Sequence, residues 1–143
     1  HQDRNYMIDL AISELTIRLL RHQTRDLIIA YSEQTPDHNG LNAAVNYINQ
    51  NLAANLNIDE LCKLACMSRT KFFHQFRVHL GCTPGVYQQQ TRLKKAAMMI
   101  KQGQQITRVC FELGYNNPSH FSRCFKQFFN LSPSTFKRHH LSS

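Results

Sequence analysis

The stretch of sequence that decides the fold is ITRVCFELGYNNPSHFSRCFKQFFNLSPSTFKR, residues 106–138. It repeats a pattern already present in residues 58–90, IDELCKLACMSRTKFFHQFRVHLGCTPGVYQQQ. The first residues of the two copies, Ile58 and Ile106, are 48 positions apart, and the phenylalanines and the proline after the turn are 49 apart. One residue is therefore inserted in the second turn. Matched apolar positions and matched Ser/Thr-Pro helix starts predict two copies of one helical module, and hence two similar contacts with a repetitive partner.

The charged residues are distributed unevenly along the chain. Residues 1–60 hold four Lys/Arg against eight Asp/Glu. Residues 61–143 hold thirteen Lys/Arg against a single acid, Glu112, which leaves a balance of +12. A stretch with so few carboxylates cannot neutralise its own field and attracts a polyanion. Nucleic acid is the expected partner, and an anionic membrane surface is the alternative.

The apolar spacing predicts an all-α chain with three parts. Residues 1–34 are expected to be the helical tail of an N-terminal sensor or dimerisation domain that this chain lacks, because a helix-forming apolar stripe runs along residues 6–34. The polar, turn-rich residues 35–40 are expected to form a linker. Residues 41–143 are expected to form one basic domain.

Seven helices are predicted in the basic domain, with bounds near 41–53, 58–66, 69–80, 84–102, 106–113, 118–129 and 133–138. Their starts are marked by the capping or Ser/Thr-Pro positions Asn57 (with Glu60), Ser68, Thr83, Asn117 and Ser132. The pattern predicts a first helix-turn-helix over 58–80 and a second over 106–129. The helix 84–102 connects them, and its 19 residues span about 28 Å.

The second helix of a helix-turn-helix lies in the DNA major groove. The faces opposite the phenylalanine stripes carry Thr70, Lys71, His74 and Arg77 in the first copy, and Ser119, His120, Arg123 and Lys126 in the second. These two faces superpose through the offset of 49. Arginine can bond guanine through two parallel hydrogen bonds, and Ser or Thr can bond either base edge. A connecting helix of about 28 Å is close to the 34 Å between successive major-groove openings, so one chain can read two half-sites.

Contacts to the DNA phosphates are expected from Ser68, Arg69, Lys71, Arg77, Asn117 and Lys126. Ser68 and Asn117 stand at helix starts, where backbone amides and the positive end of the helix dipole favour a phosphate oxygen. The four cations flank the groove and neutralise phosphates.

The stretch from Gly114 to Lys137 resembles the signature of AraC/XylS-type bacterial transcription regulators, and the resemblance extends over about residues 41–138. It implies a bipartite DNA-binding domain behind an N-terminal domain that senses a small molecule or dimerises. Carried over by position, the base-contacting residues are Thr70, Phe73, His74, Ser119, Ser122 and Arg123. Phe73 stands where a polar residue often lies and His74 where an arginine is frequent. The first unit is therefore expected to discriminate less than the second.

The resemblance also implies a transcription regulator; an activator is expected, with repression left open. The odd number of cysteines favours a cytoplasmic protein, and no enzyme activity, cofactor or metal is expected. The implied partners are double-stranded promoter DNA, RNA polymerase, a small-molecule effector bound by the N-terminal domain, and a second copy of the full-length protein. No membrane contact is expected, since no apolar run approaches the roughly 20 residues that cross a bilayer.

Three alternatives remain open at this point. A repair enzyme with a reactive cysteine is one, although no nucleophile has an obvious partner base and carboxylates are nearly absent. A thiol-based redox-sensing regulator is the second, and it depends on Cys62, Cys66, Cys82, Cys110 and Cys124. The spacing of these cysteines does not fit a zinc site and favours small buried thiols. A nonspecific nucleic-acid or membrane binder is the third.

Overall fold

The computed structural model describes residues 36–142, and these form seven helices without a strand, which confirms the all-α prediction for this part of the chain. By its internal contacts the chain divides between Asn39 and Gly40, and the site lies in the compact unit that begins at Gly40. The helix predicted over 6–34 and the tail predicted over 1–34 lie outside the described residues.

The seven helices are α1 Pro36–Gln50, α2 Ile58–Ala65, α3 Arg69–Leu80, α4 Pro84–Lys101, α5 Ile106–Glu112, α6 Pro118–Phe129 and α7 Pro133–Leu141. The predicted starts of α2 to α7 are confirmed. Their ends fall within three residues of the prediction.

The start of α1 differs from the prediction. Residues 36–40 form the first turns of α1, so the linker predicted over 35–40 is wrong for these five residues. Proline suits the first position of a helix because no backbone N–H is needed there. Gly40 is retained within the helix because a side chain would clash with the carbonyl oxygen of Ala65. The glycine that indicated a turn therefore allows α1 and α2 to approach closely.

Short polar side chains fix the helix starts. The Asn57 side chain accepts hydrogen bonds from the backbone amides of Asp59 and Glu60, at 3.1 and 3.3 Å. The Ser68 hydroxyl accepts from the Lys71 amide at 3.3 Å, and three residues span the turn between α2 and α3. These caps satisfy amides that have no partner within the helix.

Each copy of the module has its own hydrophobic core. The first is formed by α1, α2 and α3 around the fully buried Phe72 and Phe76. The second is formed by α4 to α7 around their equivalents Phe121 and Phe125. The start of α4 also contacts the first core, where the Tyr87 ring packs edge-on against Phe76 at 5.7 Å. The connecting helix therefore belongs to both cores.

Among residues 36–142, no helix is both long enough and apolar enough to cross a bilayer.

Candidate nucleic-acid interface

Helices α3 and α6 place their polar residues in equivalent positions. Both helices have 12 residues, and both bury two phenylalanines four residues apart. Four of the six predicted base-contacting side chains are exposed on the opposite faces, namely Thr70, His74, Ser119 and Arg123. The structure thus presents two similar polar surfaces, one on each module.

The other two predicted base-contacting residues are half-buried. The Phe73 ring lies at the edge of the first core, with its centroid 6.1 Å from that of Phe72. The Arg69 guanidinium covers the same ring at 6.0 Å. Ser122 is partly covered on α6. Phe73 can therefore offer only an apolar edge to DNA, and weaker discrimination by the first unit stays a prediction.

Arg69 is engaged within the protein. Its guanidinium lies 3.4 Å from the carboxylate of Asp59, which ties the start of α3 to the start of α2. Both side chains are largely exposed, so this ion pair contributes little to stability and can open in favour of a phosphate. Lys71, Arg77 and Lys126 are exposed on α3 and α6.

The start of α6 does not offer the free backbone amides that were expected to bind a phosphate at Asn117. Pro118 has no N–H, and the Asn117 side chain accepts from the amides of Ser119 and His120 at 2.8 and 3.3 Å. The next amide, that of Phe121, donates to the Asn117 carbonyl. The backbone amides at this helix start are thus already bonded. At the start of α3, the Ser68 side chain accepts a hydrogen bond from the Lys71 amide only. Since the first amides of a helix have no partner within it, the first two amides of α3 are not capped in this way.

The connecting helix α4 has 18 residues and spans about 27 Å. Two of its side chains bond the chain segment that follows α1. Gln88 Nε2 donates to the Ala54 carbonyl at 2.9 Å, and Arg92 Nη2 donates to the same carbonyl at 3.1 Å. Arg92 Nε also donates to the Leu52 carbonyl.

The sequence did not predict these contacts, because they join residues 34 to 40 positions apart and a helical pattern does not reveal side-chain partners at that distance.

An open cleft of about 590 Å³ lies between α4 and the turn that precedes α6. Its polar lining includes Gln89 and Asn116, together with Gln88, Arg92 and His120, and none of the lining residues carries a carboxylate. Tyr115 also lines it, and burial raises the pKa of its hydroxyl to about 12. Burial lowers the pKa of Arg92, whose guanidinium stays charged at neutral pH all the same.

Burial disfavours the thiolate at two of the five cysteines. Cys62 and Cys110 are equivalent in the two copies, both are buried, and burial raises the pKa of each thiol. Cys124 is also buried, Cys82 is half-buried and Cys66 is exposed at the end of α2. Within residues 36–142, no group of three or more His, Cys, Asp or Glu is placed to hold a metal ion.

Comparison with known proteins gives the family. Residues 61–139, more than half of the chain, match the model of a helix-turn-helix domain. One curated relative is an uncharacterized HTH-type transcriptional regulator of Haemophilus influenzae, 33% identical over 134 residues, which are 92% of this chain and 45% of the relative. The chain spans about a third to a half of the length of the curated relatives that it matches over most of its own length.

Solved structures show the same fold. An AraC-type transcriptional regulator from Chromobacterium violaceum is 24% identical with a TM-score of 0.65, covering 71% of this chain and 91% of that one. The DNA-binding domain of AdpA, solved with a target DNA, is 20% identical with a TM-score of 0.67, covering 73% and 95%. The chain is a helix-turn-helix protein. It belongs to the AraC-type family of transcription regulators.

Proposed function

We propose that this chain is the sequence-specific DNA-binding part of a transcription regulator, and that it inserts α3 and α6 into successive major-groove segments of a promoter. One observation carries the proposal. Two superposable exposed polar faces are held by one helix of about 27 Å in a part of the chain with a charge of +12. Successive major-groove openings on one side of B-DNA are about 34 Å apart, which suits two helices held in this way.

The two faces are suited to different tasks within the groove. Arg123 can bond guanine O6 and N7 together, and Ser119 can bond either base edge. His74 has a single N–H donor when neutral, so the first helix supplies fewer donors to the bases. Arg77 and Lys126, at equivalent positions of α3 and α6, supply charge to the phosphates.

The comparisons support this proposal. The Haemophilus influenzae relative is named as an HTH-type transcriptional regulator, and the AdpA domain was solved on its target DNA. We infer that the target of this chain is likewise double-stranded promoter DNA. A nonspecific RNA or membrane binder is the competing class that the test must exclude.

A competition mobility-shift experiment tests the proposal. Labelled promoter DNA bound by the chain should be displaced by the same unlabelled DNA, but not by scrambled DNA or RNA at equal concentration. Arg123→Ala should weaken binding to the promoter DNA much more than Arg108→Ala. Arg108 is the matched control because it lies outside both recognition helices and pairs with Glu112 at 2.7 Å. Equal displacement by scrambled DNA would contradict sequence-specific binding.

Three further expected partners are RNA polymerase, a small-molecule effector and a second copy of the full-length protein. We propose that the full-length protein activates transcription by contacting RNA polymerase, that an N-terminal domain binds a small-molecule effector, and that two copies associate. A promoter–reporter assay in cells with and without the full-length gene tests activation. Expression that rises when the gene is deleted would indicate repression instead.

A further inference from the structure

The segment that leaves α1 is held by donors from the connecting helix. Arg92 donates to the carbonyls of Leu52 and Ala54 through two different nitrogens of its guanidinium. Gln88, one turn earlier on α4, donates to the same two carbonyls at 3.4 and 2.9 Å. Gln88 is only 7% exposed, so these hydrogen bonds are shielded from water.

The second module also contacts this segment directly. Gly114, in the turn before α6, approaches Ala53 so closely that a side chain at Gly114 would clash with the Ala53 carbonyl oxygen. In residues 52–54, α4 therefore bonds the first and last residues, and the turn of the second helix-turn-helix contacts the middle one. We refer to residues 52–54, Gln88, Arg92 and Gly114 as the inter-module clamp.

Arg92 extends the clamp to the second recognition helix. Its guanidinium lies 5.6 Å from the centroid of the Tyr115 ring, which is the distance of a cation–π contact. Tyr115 in turn packs edge-on against Phe121 of α6, with ring centroids 5.0 Å apart. A continuous series of contacts therefore runs from the end of α1 through Arg92 to the core side of α6.

We propose that Arg92 is a positioning residue that fixes α6 relative to the first module, and so sets the half-site spacing that the protein accepts on DNA. This inference rests on the proposed function. Each module has its own core, and among the helices of residues 36–142 α4 packs into both, so its contacts, together with the approach of Gly114 to Ala53, join the modules.

DNA geometry makes spacing a sensitive measure of this rigidity. One inserted base pair shifts the second half-site by about 3.4 Å and rotates it by roughly 35°, since the duplex has 10 to 10.5 base pairs per turn. A rigid pair of recognition helices cannot follow such a displacement without losing base contacts. A loosened pair can follow it in part.

The experiment uses the whole chain and a duplex that the wild-type chain selects from a random DNA pool. Affinity is measured on this duplex and on derivatives with one base pair added or removed between the two half-sites. For the wild type we expect a loss of at least about 30-fold on either derivative, comparable to losing contacts at one or more base pairs. For Arg92→Met, which keeps an apolar stem, the loss of affinity on the altered duplexes should fall below about 5-fold. This variant should also bind the duplex of original spacing more weakly than the wild type does.

Further variants separate positioning from folding and charge. Arg92→Lys keeps the charge and one donor group, so it should restore part of the spacing preference. Gln88→Met removes the other donor and should also broaden the range of half-site spacings that the protein accepts. It takes the place of Arg92→Met if that variant is too unstable to purify. Lys94→Met removes one exposed charge from the same helix and should keep the wild-type spacing profile. Circular dichroism and thermal unfolding confirm that each variant is folded.

The outcomes distinguish the inference from the proposed function. A spacing profile for folded Arg92→Met that equals the wild-type profile would overturn the inference, as would a wild type that tolerates the altered spacings. In both cases sequence-selective binding persists and the proposed function stands. A wild-type chain that selects no sequence from the pool would overturn both.

Discussion

His74 and Arg123 occupy equivalent places in α3 and α6, each as the sixth residue of a 12-residue helix and each exposed on the face opposite two buried phenylalanines. The two modules are thus equivalent in geometry and different in chemistry. An arginine can make two parallel hydrogen bonds to guanine, whereas a neutral histidine has one donor.

The first prediction concerns this pair. Arg123→Ala should weaken binding to the preferred site by about 1–3 kcal/mol and relax specificity at one base position. His74→Ala should cost less, because the side chain that it removes makes fewer hydrogen bonds. Affinities measured on a panel of single-base variants of the site decide this. A loss for Arg123→Ala that is equal on all sequences would make Arg123 a phosphate contact instead.

The second prediction concerns two glycines with almost the same backbone conformation. Gly103 and Gly114 have φ of 88° and 89°, but a side chain meets open space at Gly103 and the Ala53 carbonyl at Gly114. Gly103→Ala should cost about 1–2 kcal/mol of unfolding free energy from the left-handed backbone alone. Gly114→Ala should cost about 1–3 kcal/mol more, from the added steric clash.

Urea unfolding measures the unfolding free energy of both variants. The difference between the two values reports the close contact between Gly114 and Ala53. Equal costs would show that the turn before α6 does not press against the end of α1, and the inter-module clamp would then lack one of its parts.

The third prediction concerns the thiols. Burial raises the pKa of Cys62 and Cys110, so the reactive thiolate is less populated at neutral pH than for an ordinary cysteine and increases only as the pH rises further. An alkylating reagent at neutral pH should therefore label Cys66 first, and Cys62 and Cys110 only after denaturation. Mass spectrometry of the labelled peptides reports the order. Rapid labelling of Cys62 or Cys110 in the folded protein would favour the redox-sensing alternative.

The fourth prediction concerns ionic strength. The sequence alone predicts a log–log salt slope of about −5 to −7 for binding, from about 5–8 phosphate contacts. The structure favours the smaller magnitude, about −5, because Arg69 is paired with Asp59 and the amides at the start of α6 are already bonded. Titrations at several salt concentrations measure the slope. A value near −1 would mean that the basic surface does not contact DNA.

Much of the fold follows from local signals in the sequence. The starts of α2, α3, α4, α6 and α7 coincide with side chains that cap the first turn, and the buried phenylalanines recur at helical spacing. Both are interactions within one helix or between adjacent helices. They can therefore be recognised from residue types and spacing.

The errors arise where distant residues decide the outcome. Gly40 and the polar residues before it indicated a linker. Instead, Gly40 lies within α1, where the absence of a side chain lets the helix pack closely against Ala65. The backbone amides that follow Asn117 were expected to be available for a phosphate, but those of Ser119 and His120 donate to the Asn117 side chain. The bonds from Arg92 to Leu52 and Ala54 join parts of the chain that only the tertiary structure brings together.

The measurement that tests the central claim most directly is selection of bound DNA from a random pool by the whole chain. Two recognition helices held by α4 predict an enriched sequence with two separate motifs, their centres about one helical turn, or roughly 10 base pairs, apart. Repeating the selection with Arg123→Ala should relax the motif read by α6 and leave the other intact. A single enriched motif, or no enrichment over the starting pool, would contradict the reading of DNA by two helices of one chain.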